Sequence, residues 1–195
     1  MEINIRLEKK CDQRKVEELT RQAFYRQERV KELGIGCDEH YLLHTLRLSK
    51  DYIKELNFVA ESNGEIVGHV IYSNAKIVCK DHSTKEVITF GPLSVLPEYQ
   101  KLGIGSKLMT HSIQVAKDLA YGGIVFFGHP TYYPRFGFVE AKEFSITTED
   151  GKNYPAFMAM ELKDGYFNKA GRFYESPLFK VNKEEAIEYD KKFTT

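Results

Sequence analysis

The 195-residue chain predicts an α/β domain: a mixed, mostly antiparallel sheet, splayed near its centre, with helices on both faces. Three observations carry this expectation. Between Phe58 and Val95, apolar runs alternate with turn signals, the pattern of an antiparallel meander. From Leu93 to Phe127, a strand-like run, a glycine turn, an amphipathic stretch and a wholly apolar run follow one another, which is the order of a βαβ unit. Between them stands Pro92, which cannot donate to a ladder and so marks an edge or a bulge where strands part.

The elements follow in order. Ile3-Asn-Ile-Arg-Leu7 alternates apolar and polar residues and reads as a short strand. Asp12 can cap a helix in which Val16, Leu19, Ala23 and Val30 recur at roughly helical spacing, so one helix is expected over Asp12–Val30. Gly34 and Gly36 break it. Asp38 starts a second helix through Tyr41, Leu42, Thr45 and Leu46 toward Lys50. Phe58–Ala60 and Ile66–Tyr72 flank Asn63-Gly64, the strongest short-range hairpin signal because both residues tolerate positive φ. The second arm continues toward Ile77 and Val78, Asp81–Thr84 turns, and Val87–Phe90 resumes as strand. In Ser106–Ala120 an apolar stripe of Leu108, Met109, Ile113, Ala116 and Ala120 predicts a helix, ended by Gly122-Gly123. Ile124–Phe127 is wholly apolar, as in a strand buried on both faces. Ala156–Leu162 reads as a further strand. Gly165, Gly171 and Pro177 predict an irregular tail as far as Asn182, where Asn182-Lys-Glu-Glu185 resembles a capping box ahead of a last helix. The expected division is a main domain over 1–162 and a C-terminal extension over 163–195 packed on it.

Composition narrows the function. Lys plus Arg and Asp plus Glu are equal at 28 each, so no overall field favours nucleic acid or an anionic membrane. No segment is as long and apolar as a membrane span, and the charged N-terminus has no signal-peptide core. Cys11, Cys37 and Cys79 are odd in number and scattered, as expected of a reducing compartment. A cytoplasmic protein is expected, acting as a monomer or homodimer. His40 and His44 share a helical face as zinc ligands can, yet Tyr41 occupies the place of the required glutamate and no third ligand stands out, so no metal is expected.

The most informative stretch runs from Leu93 to Leu108. Its turn, Gln100-Lys-Leu-Gly103-Ile-Gly105, opens into a helix, and a helix N-terminus attracts phosphate oxygens through unpaired N–H groups and its dipole. It is not a dinucleotide fingerprint, since Leu108 stands where a third small residue is required. Nor is it a Walker loop, since Gly105-Ser-Lys reverses the order. The chemistry expected is a diphosphate held by main-chain amides.

Downstream, Tyr132-Tyr133-Pro-Arg-Phe-Gly137-Phe138 completes an ordered set: Leu-x-Val strand, Gln-x-x-Gly-x-Gly, helix, strand, Tyr-x-x-x-Gly-Phe. That set resembles the GNAT acyl-CoA-dependent N-acetyltransferase superfamily, tightest over Gly91–Phe138. Gly91–Gln100, the paired tyrosines and Gly171–Phe179 are also similar to an uncharacterised bacterial branch of predicted acetyltransferases. The resemblance implies acetyl-CoA as co-substrate, its diphosphate held around Gln100, Lys101, Leu102, Gly103, Ile104, Gly105 and Ser106. It implies that Leu93, Ser94 and Val95 pair with the pantetheine arm, and that Tyr133 protonates the departing thiolate. The implied reaction is direct transfer of acetyl to an amine-bearing acceptor through a tetrahedral intermediate, with a main-chain N–H as oxyanion hole. The acceptor, small molecule or peptide, would lie between the first two helices and the sheet. Their mixed charges (Arg21, Arg26, Arg29, Glu28, Glu32, Glu39) select no substrate class. Thr89, Phe90 and Gly91 offer no carboxylate as general base; Glu61 and Glu86 read as solvent-facing, and His129 as either a substrate contact or a loop residue. A non-catalytic acyl-CoA-binding module is the alternative function.

Overall fold

The computed structural model describes residues 2–193; Met1, the first residue of the charged N-terminal stretch, lies outside them. In chain order the elements are β1 (Asn4–Leu7), α1 (Gln13–Phe24), α2 (Gln27–Leu33), α3 (Glu39–Leu48), β2 (Phe58–Ser62), β3 (Glu65–Cys79), β4 (Thr84–Val95), α4 (Ile104–Asp118), β5 (Gly123–Phe127), β6 (Val139–Glu140), β7 (Ile146–Thr147), β8 (Phe157–Glu161), β9 (Gly171–Tyr174) and α5 (Lys183–Asp190). The sheet follows the order β1-β2-β3-β4-β5-β8-β6, with β9 pairing β3 and β7. Among the described residues no helix is long and apolar enough to cross a membrane. Two compact units share the chain. The first comprises residues 1–71, 91–111 and 177–195, and the second 72–90 and 112–176.

In the first unit β1 and β2 pair antiparallel from Asn4↔Glu61 to Leu7↔Phe58, and β2 pairs the start of β3 from Phe58↔Val70. Asn63 and Gly64 turn this hairpin with φ of +51° and +81°, as the Asn-Gly signal requires. Neighbouring residues of a strand face opposite sides, and Gly68 and His69 show what that does. A Cβ on Gly68 would lie 3.0 Å from Ile104 and 3.1 Å from Leu108, so the bare backbone is what lets α4 sit close. His69 points the other way, into a polar layer shared with α1 and α3.

That layer is organised by Arg47, whose side chain is only 5% exposed. Its guanidinium donates to both carboxylate oxygens of Glu8 and, at 2.7 Å, to Glu17 Oε1. Asn57 spends its amide hydrogens on Glu8 and Tyr52, so its carbonyl accepts from His69 Nε2–H at 2.6 Å. His69 Nδ1 meets no polar partner among the described residues. Burial holds the His69 imidazole well below its ordinary pKa and raises that of the Glu8 carboxyl, as desolvation disfavours each charged form.

The helix expected over Asp12–Val30 is two helices. Tyr25 leaves helical geometry at φ −59°, ψ 129°, and Arg26 N–H bonds the Gly36 carbonyl at 3.0 Å instead of continuing the helical ladder. The Tyr25 ring covers Gly36 so closely that a Cβ there would lie 2.3 Å away. Helix α5 begins as its sequence predicts: Asn182 Oδ1 accepts from Glu185 N–H at 3.1 Å.

In the second unit β4 pairs β5 in parallel at Ile88↔Ile124 alone, whereas β5 and β8 run antiparallel over five positions from Gly123↔Glu161 to Phe127↔Phe157. Ile77, Val87, Val125, Phe157, Ala159 and Phe173 form the core. Two expectations change. The turn after α4 is left-handed at Ala120, φ +62°, while Gly122 and Gly123 serve packing, their Cβ positions lying 2.1 Å and 2.3 Å from Tyr166 and Phe167. The tail is not irregular throughout: Gly171–Tyr174 pairs with Lys76–Cys79, because Gly171 lets its backbone approach where a Cβ would lie 2.4 Å from Ile77.

Replacing Arg47 by Met strands two buried carboxylates. A loss of about 3–5 kcal/mol in urea unfolding is expected, and a loss under about 1 kcal/mol would show that Arg47 does not organise this layer. His40 gives a pH dependence. It is fully buried, with Nδ1 3.4 Å from Cys37 Sγ and Nε2 3.1 Å from Asp190 Oδ1. Burial outweighs Asp190 and lowers its pKa from 6.5 to about 4. Between those values the unfolded chain binds the extra proton, so this contribution is complete above about pH 6.5 and is lost as pH falls toward 4. His40→Gln should flatten the decline of unfolding free energy across that window; an unchanged slope would assign the decline to other groups.

Candidate functional site

The glycine turn lies in the first unit. Strand β4 ends with Leu93 and Val95 half-buried and Ser94 fully buried, the alternation of a strand with one covered face. Its backbone passes Gly91 at φ +153° and a cis Gly91-Pro92 bond. Leu96 N–H donates to Val67 O at 3.0 Å, which returns the chain to β3. A single 3-10 turn, Pro97–Tyr99, leads to Gln100, whose side chain folds back to donate to Val95 O at 3.1 Å. Gln100 therefore ties the turn to the strand with its side chain. Lys101 and Gly103 both take left-handed conformations, φ +63° and +82°, and the side chains of Lys101 and Leu102 are exposed.

Helix α4 starts immediately, anchored by the buried Ile104 and Leu108. Lys107 N–H donates to Gly103 O at 3.0 Å, so the helical ladder opens at Gly103. The N–H groups of Ile104 and Gly105 precede that bond and have no carbonyl within the helix to reach. A 15-residue helix adds the positive end of its dipole. No atom comes within 4 Å of a Cβ placed on Gly103, so the glycine is required by φ and leaves open space beside the main chain. Gly105 and the half-buried Ser106 complete the first turn. The arrangement suits a phosphorylated ligand held by backbone. One contact here escapes sequence reasoning: Ser94 Oγ lies 2.8 Å from Thr20 Oγ1, both fully buried.

Tyr133 lies in the second unit, opening the 3-10 turn Tyr133–Phe136 that Gly137 ends at φ +95°. Its ring is held by Phe126 at 4.6 Å, Tyr132 at 5.0 Å, Phe90 at 5.6 Å and Phe138 at 6.0 Å between centroids. Gly128 makes room, since a Cβ there would lie 2.4 Å from the Tyr133 ring. Desolvation, with a smaller contribution from Tyr132, raises the Tyr133 hydroxyl pKa above its ordinary value. The residue is half-buried, and its hydroxyl has no hydrogen-bond partner among the described residues. Beside it, Tyr72 differs: its hydroxyl lies 2.8 Å from Ser112 Oγ.

The remaining candidates separate cleanly. His129 is exposed, and its Nδ1 lies 3.0 Å from Thr131 Oγ1, closing its own loop. His40 is a fully buried ring, whereas the His44 side chain is 41% exposed and leans toward Glu17. Glu61 pairs with Arg6 rather than facing solvent alone. Among the described residues no cluster of three or more His, Cys, Asp or Glu could hold a metal.

A mixed sheet in which a glycine turn joins a strand to a long helix defines the class of the protein as α/β. Residues 15–138 match the model of the acetyltransferase (GNAT) family, and the chain belongs to that family. It is 27% identical over 131 residues, 67% of this chain and 75% of the relative, to the uncharacterised N-acetyltransferase YhbS of Escherichia coli. To the uncharacterised N-acetyltransferase YjhQ of Escherichia coli it is 35% identical over 83 residues, 43% of this chain and 45% of that protein, less than half its length. The fold is similar to the crystal structure of YhbS in complex with CoA, with a TM-score of 0.77 at 23% identity over 91% of this chain and 92% of that one. It is also similar to a GNAT acetyltransferase of Brucella melitensis in complex with acetyl-CoA, with a TM-score of 0.68 at 26% identity over 91% of this chain and 98% of that one.

Two stability measurements check this geometry. Gly103→Val should cost about 1–2 kcal/mol through left-handed strain, despite the free space around it; no loss would mean that the turn is not held left-handed. Tyr133→Phe should cost well under about 1 kcal/mol, because it removes a hydroxyl that has no partner. A larger loss would place that hydroxyl in a structural hydrogen bond.

Proposed function

We propose that the protein is an acetyl-CoA-dependent N-acetyltransferase that passes acetyl directly from the thioester to an amine. The observation that carries this reading is the turn itself: left-handed at Lys101 and Gly103, opening α4, and directly continuous with Leu93–Val95. Support comes from the family match and from relatives whose structures hold CoA or acetyl-CoA. In this reading the main chain of Gln100–Ser106 binds the diphosphate, as helix N-termini bind anions. Leu93, Ser94 and Val95 pair with the pantetheine arm by strand addition, in which main-chain bonds give affinity.

Tyr133 is assigned the proton that the departing thiolate takes. A tyrosine hydroxyl is protonated at neutral pH and so has a proton to donate to the thiolate. The absence of a competing acceptor on it supports that role. The acceptor is an amine on a small molecule or peptide, attacking as the neutral form. No general base is assigned: Thr89 is buried and carries no carboxylate.

Release of CoA thiol followed across a panel of amines tests the proposal. Thiol should accumulate only when an acceptor amine is present, and binding without acceptor-dependent release would indicate a non-catalytic acyl-CoA-binding module instead. Tyr133→Phe should lower turnover about 10²-fold while the acetyl-CoA dissociation constant stays within about twofold. Unchanged turnover would remove Tyr133 from the reaction.

A further inference from the structure

We propose that Thr20 is a positioning residue for the donor strand, and that the C-terminal helix α5 holds Thr20 in place. This inference rests on the assignment of Leu93–Val95 to the pantetheine arm. Glu17, Thr20 and Arg21 stand three and four residues apart on α1 and therefore share one face. Thr20 Oγ1 lies 2.8 Å from Ser94 Oγ, a hydroxyl pair with no exposure. It is thus a direct side-chain tie between α1 and the middle of the Leu93–Val95 segment.

On either side of Thr20, α1 is gripped by the end of α5. Tyr189 donates its hydroxyl to Glu17 Oε2 at 2.9 Å. Arg21 donates to both oxygens of Asp190 at 2.6 Å and 3.2 Å. Arg14 reinforces the grip from the preceding turn, donating to Lys192 O at 2.7 Å with its guanidinium 3.7 Å from the Phe193 ring centroid. Helix α5 has only eight residues, too short to persist in water without docking. Its order and the placement of α1 therefore depend on each other.

The consequence is coupling between the C-terminal helix and the donor strand. Loosening α5 removes the contacts that flank Thr20 on α1, and the hydroxyl pair then holds Ser94 and its flanking main chain less firmly. Linkage makes the effect reciprocal, so a ligand seated on Leu93–Val95 must also stabilise α5. The wiring is a short chain of direct contacts, and coupling energies measured by a double-mutant cycle are the proof it needs.

The experiment measures acetyl-CoA affinity by titration calorimetry for the wild type, Thr20→Val, Thr20→Ser, Asp190→Asn and the Thr20→Val/Asp190→Asn pair, with amide exchange of residues 183–190 read in parallel. Thr20→Val should weaken binding about fivefold or more, and Thr20→Ser, which keeps the hydroxyl, should restore it. Asp190→Asn should also weaken binding, but add nothing in the Thr20→Val background. Acetyl-CoA should slow exchange in α5 of the wild type. Tyr189→Phe serves as a second, milder release should Asp190→Asn unfold. A wild type that binds acetyl-CoA while every variant matches it, or strictly additive effects, would overturn the coupling alone. Failure of the wild type to bind acetyl-CoA would overturn the donor reading, and the coupling with it.

Discussion

Strand β3 must serve two opposed layers at adjacent residues, and the first unit is arranged around that demand. Gly68 faces α4, where an added Cβ would crowd Ile104, Leu108 and the Ser94 carbonyl. His69 faces the layer of α1 and α3 and bonds Asn57. Because α4 can approach to van der Waals distance, its first turn is brought against the end of β4. The left-handed turn at Lys101–Gly103 then closes the short gap between strand and helix. The anion-suited geometry follows from close packing on the neighbouring strand.

The opposite layer solves a different problem, that of charge without water. Two carboxylates and a guanidinium with exposures of 2%, 7% and 5% are tolerable only because each meets the others in good geometry. Asn57, Tyr52 and Tyr189 take up further donors and acceptors around them. Such a layer contributes specificity more than net stability: it admits one placement of α1 and α3, since any slip leaves a buried charge unpaired. The same placement presents Thr20 to Ser94.

Much of this was legible in the residues. Local devices read well because their physics is local: Asn63-Gly64 as a hairpin and Asn182 as a cap. The ordered motifs from Leu93 to Phe138 pointed to the family that the model match shows. What was not legible depends on distant partners. The break at Tyr25 arises from a bond to Gly36, the strand at Gly171 from close approach to β3, and the burial of His40 from the docking of α5. No spacing within α1 announces that Thr20 meets Ser94, 74 residues away. Gly128 could have been suspected only once the Tyr133 ring was known to lie over it.

The central claim is that main-chain amides of the glycine turn and of the preceding strand receive the donor. Backbone amide chemical shifts recorded during titration with CoA test it most directly. The account predicts that the largest changes fall on Lys101–Ser106 and Leu93–Val95, saturating together with one dissociation constant. Largest changes at any other segment, with these amides unmoved, would contradict it.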